Sequence, residues 1–353
     1  MALVLALAAG LWGVGHLLGT PATARWLTIA LLYVAVLAAN VALPEGNSLR
    51  AALGGSPAAW LLLGGAGAAV WAYAQALGRL RRRVPRVTPP TNVAQSAPAT
   101  APPAFVPGEL ERYARHIMLR EIGGTGQRRL KAARVLVVGA GGLGAPALQY
   151  LAAAGIGTLG VIDDDVVETT NLQRQVIHSE VWIGKPKVFS AEAAIRGLNP
   201  NVAIQPYHRR LEPAIAADLF ADYDLILDGT DHYPTRELVN RTAVALRKPL
   251  IAGALSQWEG QISLYHPAGG GPCYACVFPA APAPGLAPSC AEAGVLGPLP
   301  GVVGAMMAVE AVKEIAGAGE TLRGRLLLYD ALGAEVRVIK VRRRPDCAVC
   351  GAA

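Results

Sequence analysis

From about residue 108 onward the sequence predicts an α/β protein of the doubly wound, Rossmann-like type with a mostly parallel sheet. Two observations carry that expectation. Short β-branched runs alternate with helical ones, in the order Arg134–Val138, Ala145–Ala154, Thr158–Ile162, Val188–Leu198, Val202–Tyr207, Leu225–Leu227, Arg236–Leu246 and Leu250–Ala252. Such alternation builds a parallel sheet covered by helices on both faces. The first strand also runs through the glycine turn Gly139-Ala140-Gly141-Gly142-Leu143-Gly144 into the first helix, the context in which a nucleotide-binding turn is found. Gln261–Tyr265, Arg325–Tyr329 and Glu335–Val341 follow as strands with short connections, which predicts an antiparallel C-terminal extension of the sheet.

The front of the chain is of another kind. Of the 353 residues 53% are hydrophobic and only 16% charged, and residues 1–78 carry just Arg25, Glu45 and Arg50. Three apolar runs, Ala2–Leu18, Trp26–Leu43 and Ala58–Leu77, each come near the ~20 residues that a bilayer core requires. The arginines at 79, 81, 82, 83 and 86 follow directly. They predict, by the positive-inside rule, an inner-membrane, multi-pass anchor over 1–83 with everything after it in the cytoplasm. The rival is a signal peptide cut near Ala22-Thr23-Ala24, but Met1–Thr20 has no basic start. Most of the net charge of +7 sits in that arginine cluster, not on the folded part. This excludes nucleic-acid binding as the meaning of the basic balance.

Residues 84–107 are rich in Pro, Ala, Ser and Thr and predict a semi-extended linker. The folded unit then spans 108–353. It opens with a helix over Glu109–Arg120, whose apolar stripe would be Leu110, Tyr113, Ile117 and Met118.

The glycine turn lets the backbone approach phosphates, and the helix after it offers free N–H donors. Asp163, at the end of the second strand, is spaced to accept hydrogen bonds from a ribose. To this point an NAD-dependent oxidoreductase and an ATP user are equally served. Arg174, within Asn171-Leu172-Gln173-Arg174-Gln175, and the lysines of Lys185-Pro186-Lys187 favour the latter. Adenylyl transfer builds negative charge on the phosphates that cations must neutralise, whereas hydride transfer does not. Asp231, in Gly229-Thr230-Asp231, suits Mg²⁺ as a hard oxygen ligand.

Five cysteines complete the inventory. Cys273-x-x-Cys276 and Cys347-x-x-Cys350 are paired knuckles, the ligand set of a tetrahedral structural zinc. Cys290, in Pro288-Ser289-Cys290-Ala291-Glu292, is either a nucleophile or an ordinary buried thiol.

In the order RYARH, VVGAGGLG, DDDVVETTNLQRQVIH, GKPK, DGTD, EGQISLY, CYAC, PSCAEAGVLGPLPGVVG and CAVC, residues from about Glu109 to Gly351 resemble the MoeB/ThiF/HesA group. These are relatives of ubiquitin-activating enzymes that adenylate the C-terminal Gly-Gly of small ubiquitin-fold sulfur carriers. The resemblance implies ATP, Mg²⁺ and Zn²⁺ as cofactors. It implies that Gly139, Gly141, Gly142 and Gly144 line the phosphates with Asp163 on the ribose. The segment Thr170, Asn171, Leu172, Gln173 and Arg174, together with Lys187, would contact the nucleotide. Asp231 would hold Mg²⁺ with His232 beside it, and Cys290 would link covalently to the carrier. Arg115 matches an arginine that reaches the neighbouring subunit's ATP, which implies a homodimer.

His232 departs from the usual Asn, and the chain ends three residues after Cys350 with no rhodanese-like extension, so a separate sulfurtransferase is expected to supply sulfur. The CAEAGV segment and both knuckles look most like the molybdopterin branch, with the thiamine-pathway carrier as the alternative. A membrane-tethered binding module without catalysis is a third reading, hinted at only by His232.

Overall fold

The computed structural model describes residues 2–44, 46–54, 56–67, 73, 105–281 and 293–351. The chain divides into two compact units, Met1–Thr91 and Asn92–Ala353.

In the first unit α1 (Ala2–Leu17), α2 (Ala22–Ala42) and α3 (Ser48–Leu53) precede a helical stretch over 57–67. Val4, Val36 and Trp60 are buried together, and the Tyr33 hydroxyl donates to the Trp60 carbonyl at 2.7 Å. The helices thus bury part of their apolar surface on one another. The three expected spans are reduced here. Among the described residues only Thr23–Ala42 is long and apolar enough to cross a membrane. The first run forms a helix of 16 residues, about 24 Å long at ~1.5 Å per residue, short of a ~30 Å bilayer core. Most of the third run beyond residue 67 lies outside the described residues, as do the arginine cluster and linker residues 84–104.

The second unit opens on α4 (Glu109–Arg112) and α5 (Ala114–Ile117), so the single helix expected over Glu109–Arg120 is broken. The break falls at Tyr113, which is buried and accepts a hydrogen bond from Asn199 at 2.8 Å. Leu110 and Met118, expected on the buried stripe, are exposed. The tertiary contact of one aromatic outweighs the periodic pattern. Glu109 is buried against Lys131 of α6 (Gly123–Ala132) and accepts the Val106 N–H, fixing where the chain enters the unit.

Eight strands form one sheet in the order β3-β2-β1-β4-β5-β6-β7-β8. They are β1 (Arg134–Val138), β2 (Thr158–Ile162), β3 (Ala203–Tyr207), β4 (Leu225–Asp228), β5 (Leu250–Leu255), β6 (Glu259–Tyr265), β7 (Arg325–Asp330) and β8 (Glu335–Lys340). The first five are parallel and the last three antiparallel, as expected.

Alternate residues sort to the two faces. Val135 and Val137 join a core with α7 (Gly144–Ala154), α8 (Lys187–Leu198) and α12 (Pro298–Ala316). Leu136 and Val138 join another with α9 (Pro213–Ala221), α10 (Tyr233–Ala245) and α11 (Tyr274–Val277). The chain moves one way from β1 to β2 and β3 and the other way from β4 to β5, so strand order reverses between β1 and β4. A ligand crevice is expected outside the carboxyl ends of the strands at such a point.

Candidate active site

Register brings the functional loops to that crevice. Val138 pairs with Ile162 on one side and Asp228 on the other, so Gly139, Asp163 and Gly229 leave the sheet side by side. Gly139 has φ of +94°, a conformation open to glycine. Gly144 is required for a different reason. A Cβ there would meet the Gly139 carbonyl oxygen at 1.8 Å, so the turn closes only without a side chain. Gly144→Ala should therefore open the turn and abolish nucleotide binding, with at least about 1–3 kcal/mol of lost stability from overpacking. Calorimetric ATP titration beside a denaturant melt checks both.

Two side chains hold the Ala140 peptide from opposite sides. Asp163 accepts its N–H through Oδ2 at 2.6 Å and takes the Asp165 N–H on Oδ1 at 2.8 Å. His178, which the sequence reading passed over, is buried and bonds the Ala140 carbonyl through Nε2 at 2.9 Å. A carbonyl can only accept, so Nε2 carries the proton and Nδ1 accepts from the Ser190 hydroxyl at 2.9 Å. Burial, and then the Lys187 ammonium, push the His178 pKa below the ordinary value. The unfolded chain then takes up this proton first, so the contribution is complete above about pH 6.5 and is lost as pH falls toward the lowered value. Denaturant midpoints measured from pH 7 to 5 should fall more steeply in the wild type than in His178→Gln, by at most about 1.4 kcal/mol per unit.

Burial pushes the Asp163 carboxyl up, against the Lys187 charge and the Ala140 and Asp165 N–H groups that pull it down. Lys187 is buried at the start of α8, and its Nζ donates to Asp165 Oδ2 at 2.7 Å. The ammonium is thus kept beside Asp163 by an exposed carboxylate that a more charged ligand could displace. Carboxylate oxygens of Asp163, Asp164 and Asp165 all lie within 4.8 Å of one another.

The strap over residues 169–175 is ordered by its own backbone. Asn171 is buried and accepts the Glu168 N–H at 3.2 Å, while Arg174 donates to the Thr170 carbonyl at 2.9 Å. Leu172 is half-buried, and Gln173 is exposed beside Gly297, where any Cβ would meet its carbonyl at 2.8 Å. Gln175, given no role from the sequence, is buried, and a Cβ at Gly141 would lie 3.6 Å from its Nε2.

Across the crevice Asp231 and His232 are exposed at the start of α10, and His232 Nδ1 lies 3.1 Å from the Thr235 hydroxyl. The sheet and its loops therefore gather the glycine turn, Asp163, Lys187, the strap and Asp231 at one end. Arg115 is not gathered with them. It is exposed on α5, which packs on α6, and makes no side-chain hydrogen bond or ion pair among the described residues. Cys290 lies outside the described residues.

Beyond Gly253 the end of β5 opens onto a pocket of about 400 Å³, lined by residues that include Ala254, Ser256, Gln261, Leu328, Asp330 and Arg337.

The four remaining cysteines meet at one point although Cys273 caps α11, Cys276 lies on it and the other two are near the C-terminus. The Sγ atoms of Cys273 lie 3.8 Å from Cys276 and 3.6 Å from Cys347, and Cys276 lies 3.4 Å from Cys350. A tetrahedron of ~2.3 Å zinc–sulfur bonds has edges of about 3.8 Å, so this buried set fits zinc. The Arg344 N–H points to Cys276 Sγ at 3.4 Å, a donor suited to a thiolate.

The sequence signature of the ThiF family matches residues 113–349. The chain is 51% identical over 247 residues to the sulfur carrier protein adenylyltransferase of Thermus thermophilus, covering 69% of this chain and 91% of that one. It is 50% identical to the SAMP-activating enzyme E1 of Haloferax volcanii, covering 69% and 89%. It is 52% identical to the adenylyltransferase and sulfurtransferase MOCS3 of Bos taurus, covering 69% of this chain but 53% of that longer one. Among solved structures it is similar to E. coli MccB with ATP, with a TM-score of 0.58 at 25% identity over 68% of this chain and 73% of that one. The chain belongs to the ThiF family.

Proposed function

We infer that this chain is an adenylyltransferase acting on a small sulfur-carrier protein with a C-terminal Gly-Gly. The observation that carries this reading is the meeting, at the reversal of strand order, of a glycine turn, buried Lys187 and exposed Asp231. The half identity to a sulfur carrier protein adenylyltransferase over nearly that protein's whole length supports the substrate class.

The carrier's terminal carboxylate oxygen attacks the α-phosphorus of ATP in line. The bond from that phosphorus to the bridging oxygen breaks, pyrophosphate leaves with the electron pair, and an acyl-adenylate remains. No protein nucleophile is needed, and the site works by position and charge. The N–H groups around Gly141, Gly142 and Gly144 would receive phosphate oxygens at the head of α7. Lys187, Arg174 and Asn171 would neutralise and orient the phosphates, with Thr170, Leu172 and Gln173 closing the strap. Asp163 retains lone pairs for the ribose hydroxyls. Asp231 would hold Mg²⁺, which would supply positive charge to offset that of the leaving pyrophosphate, with His232 next to it. The pocket at the carboxyl end of β5 would offer the extended tail an entry.

Arg115, exposed and without a side-chain partner among the described residues, suits a role across a homodimer interface. Cys290 would act after activation, its thiolate attacking the acyl carbon of the adenylate so that the acyl–oxygen bond breaks, AMP leaves and a thioester remains. Sulfur would come from a separate sulfurtransferase. For the pathway we favour molybdopterin synthesis over the thiamine route, on the two knuckles and the CAEAGV segment. We further propose that the apolar N-terminal helices anchor the chain in the inner membrane with the catalytic unit in the cytoplasm, concentrating it near a membrane-bound partner. Release from membranes by alkaline carbonate would end that proposal. Adenylation itself is tested by pyrophosphate exchange into ATP with purified carriers.

A further inference from the structure

β4 ends in Asp228, and only Gly229 and Thr230 separate it from exposed Asp231. A carboxylate on such a loop needs something to hold it, and Thr230 is held from both sides. Asp228 is 1% exposed, and its Oδ1 accepts both the Thr230 N–H at 2.9 Å and the Thr230 hydroxyl at 2.7 Å. On the other side is Arg236 of α10, 7% exposed. Its Nη2 donates to the Thr230 carbonyl, the carbonyl of the peptide that leads into Asp231, and at 2.7 Å to the Gly253 carbonyl of β5. A guanidinium is costly to bury. This one is spent on joining the Asp231 loop to the sheet.

The same helix reaches the cysteines. One turn beyond Arg236 on the same face of α10, Asn240 is buried, and its Oδ1 accepts the backbone N–H of Tyr274 at 2.9 Å. Tyr274 stands between Cys273 and Cys276, and its ring packs edge-on to Tyr265 of β6 with centroids 5.7 Å apart. Two anchors four residues apart therefore tie one rigid helix to the Asp231 loop and to a metal-binding knuckle.

We propose that Arg236 is the positioning residue for Asp231, and that α10 transmits the state of the four-cysteine site to the Asp231 loop through Asn240. This rests on the reading of Asp231 as the Mg²⁺ ligand. Arg236 touches neither nucleotide nor carrier in this account and acts by fixing the Thr230–Asp231 peptide.

The test uses purified full-length protein and a carrier that supports exchange. In Arg236→Gln the Mg²⁺ concentration for half-maximal exchange rises about tenfold or more, with the thermal midpoint nearly kept, and Arg236→Lys restores part of the loss. A Mg²⁺ dependence equal to wild type, or a fall in maximal rate alone that tracks lost stability, overturns the assignment. The second arm needs no activity. Hydrogen exchange at the 229–232 amides should quicken when zinc is chelated from the wild type, and should be quick in Asn240→Ala whether or not zinc is bound. If chelation leaves 229–232 unchanged, the link through α10 is refuted. Absence of exchange in the wild type with every carrier would count against adenylation, and the hydrogen-exchange arm would still decide the link on its own.

Discussion

Asp231→Ala should lose carrier-dependent pyrophosphate exchange by at least about 10²–10³-fold, the scale set by removing one pre-placed electrostatic group from a transition state. It should do so without unfolding the protein. Asp231 is exposed, no side-chain hydrogen bond or ion pair of it is found among the described residues, and its neighbour Thr230 is secured by Asp228 and Arg236. Substitutions at exposed positions of this kind usually change stability by less than about 0.5 kcal/mol. The pairing of a large kinetic effect with an unchanged melt separates a chemical role from a structural one. Asp228→Ala should instead lower the melt together with exchange, because it removes the acceptor for two Thr230 donors inside the fold and with it one of the two holds on the Asp231 loop. Exchange rates and thermal melts of the two variants side by side test both statements.

Loss of the cysteine site should be the largest stability effect. Zinc binding to small structural sites is worth about 10–16 kcal/mol in apparent terms, and here the four thiols close a loop that runs from α11 to the C-terminus. Cys350→Ser should abolish stoichiometric zinc and lower the thermal midpoint by about 10 °C or more, since about 1 kcal/mol corresponds to ~2–4 °C at this size. Part of the binding energy is not forfeited, because residues 347–351 can detach while the sheet persists. Metal analysis gives the stoichiometry, and a melt with and without chelator gives the shift. One zinc per chain with no change in midpoint on its removal would mean that the two cores alone hold the fold.

Much of this was legible in the residues. The mostly parallel sheet follows from alternating runs, and the glycine turn is legible because a predicted strand precedes it and a predicted helix follows it. The cysteine knuckles are local pairs, so their convergence was readable although 70 residues separate Cys276 from Cys347. What escaped were residues whose meaning depends on distant partners. His178 reads as one histidine in a polar strap until Ala140 and Ser190 are seen on its two nitrogens. Arg236 reads as a helix surface residue until its two carbonyl partners are known. The leading helix failed for the same reason, since Tyr113 is bound by Asn199 across the fold. Apolar composition overstated the anchor, because a run of small residues can pack on neighbouring helices as well as face lipid.

The decisive measurement is radiolabelled pyrophosphate exchange into ATP by the purified full-length chain, with each of several sulfur carriers and with the same carriers extended by one residue beyond Gly-Gly. Exchange that requires one carrier with a free Gly-Gly carboxylate, and stops when the tail is extended, is the expected result. Exchange indifferent to the carrier's terminus, or none with any carrier by zinc-loaded protein, would contradict the assignment of this crevice to acyl adenylation.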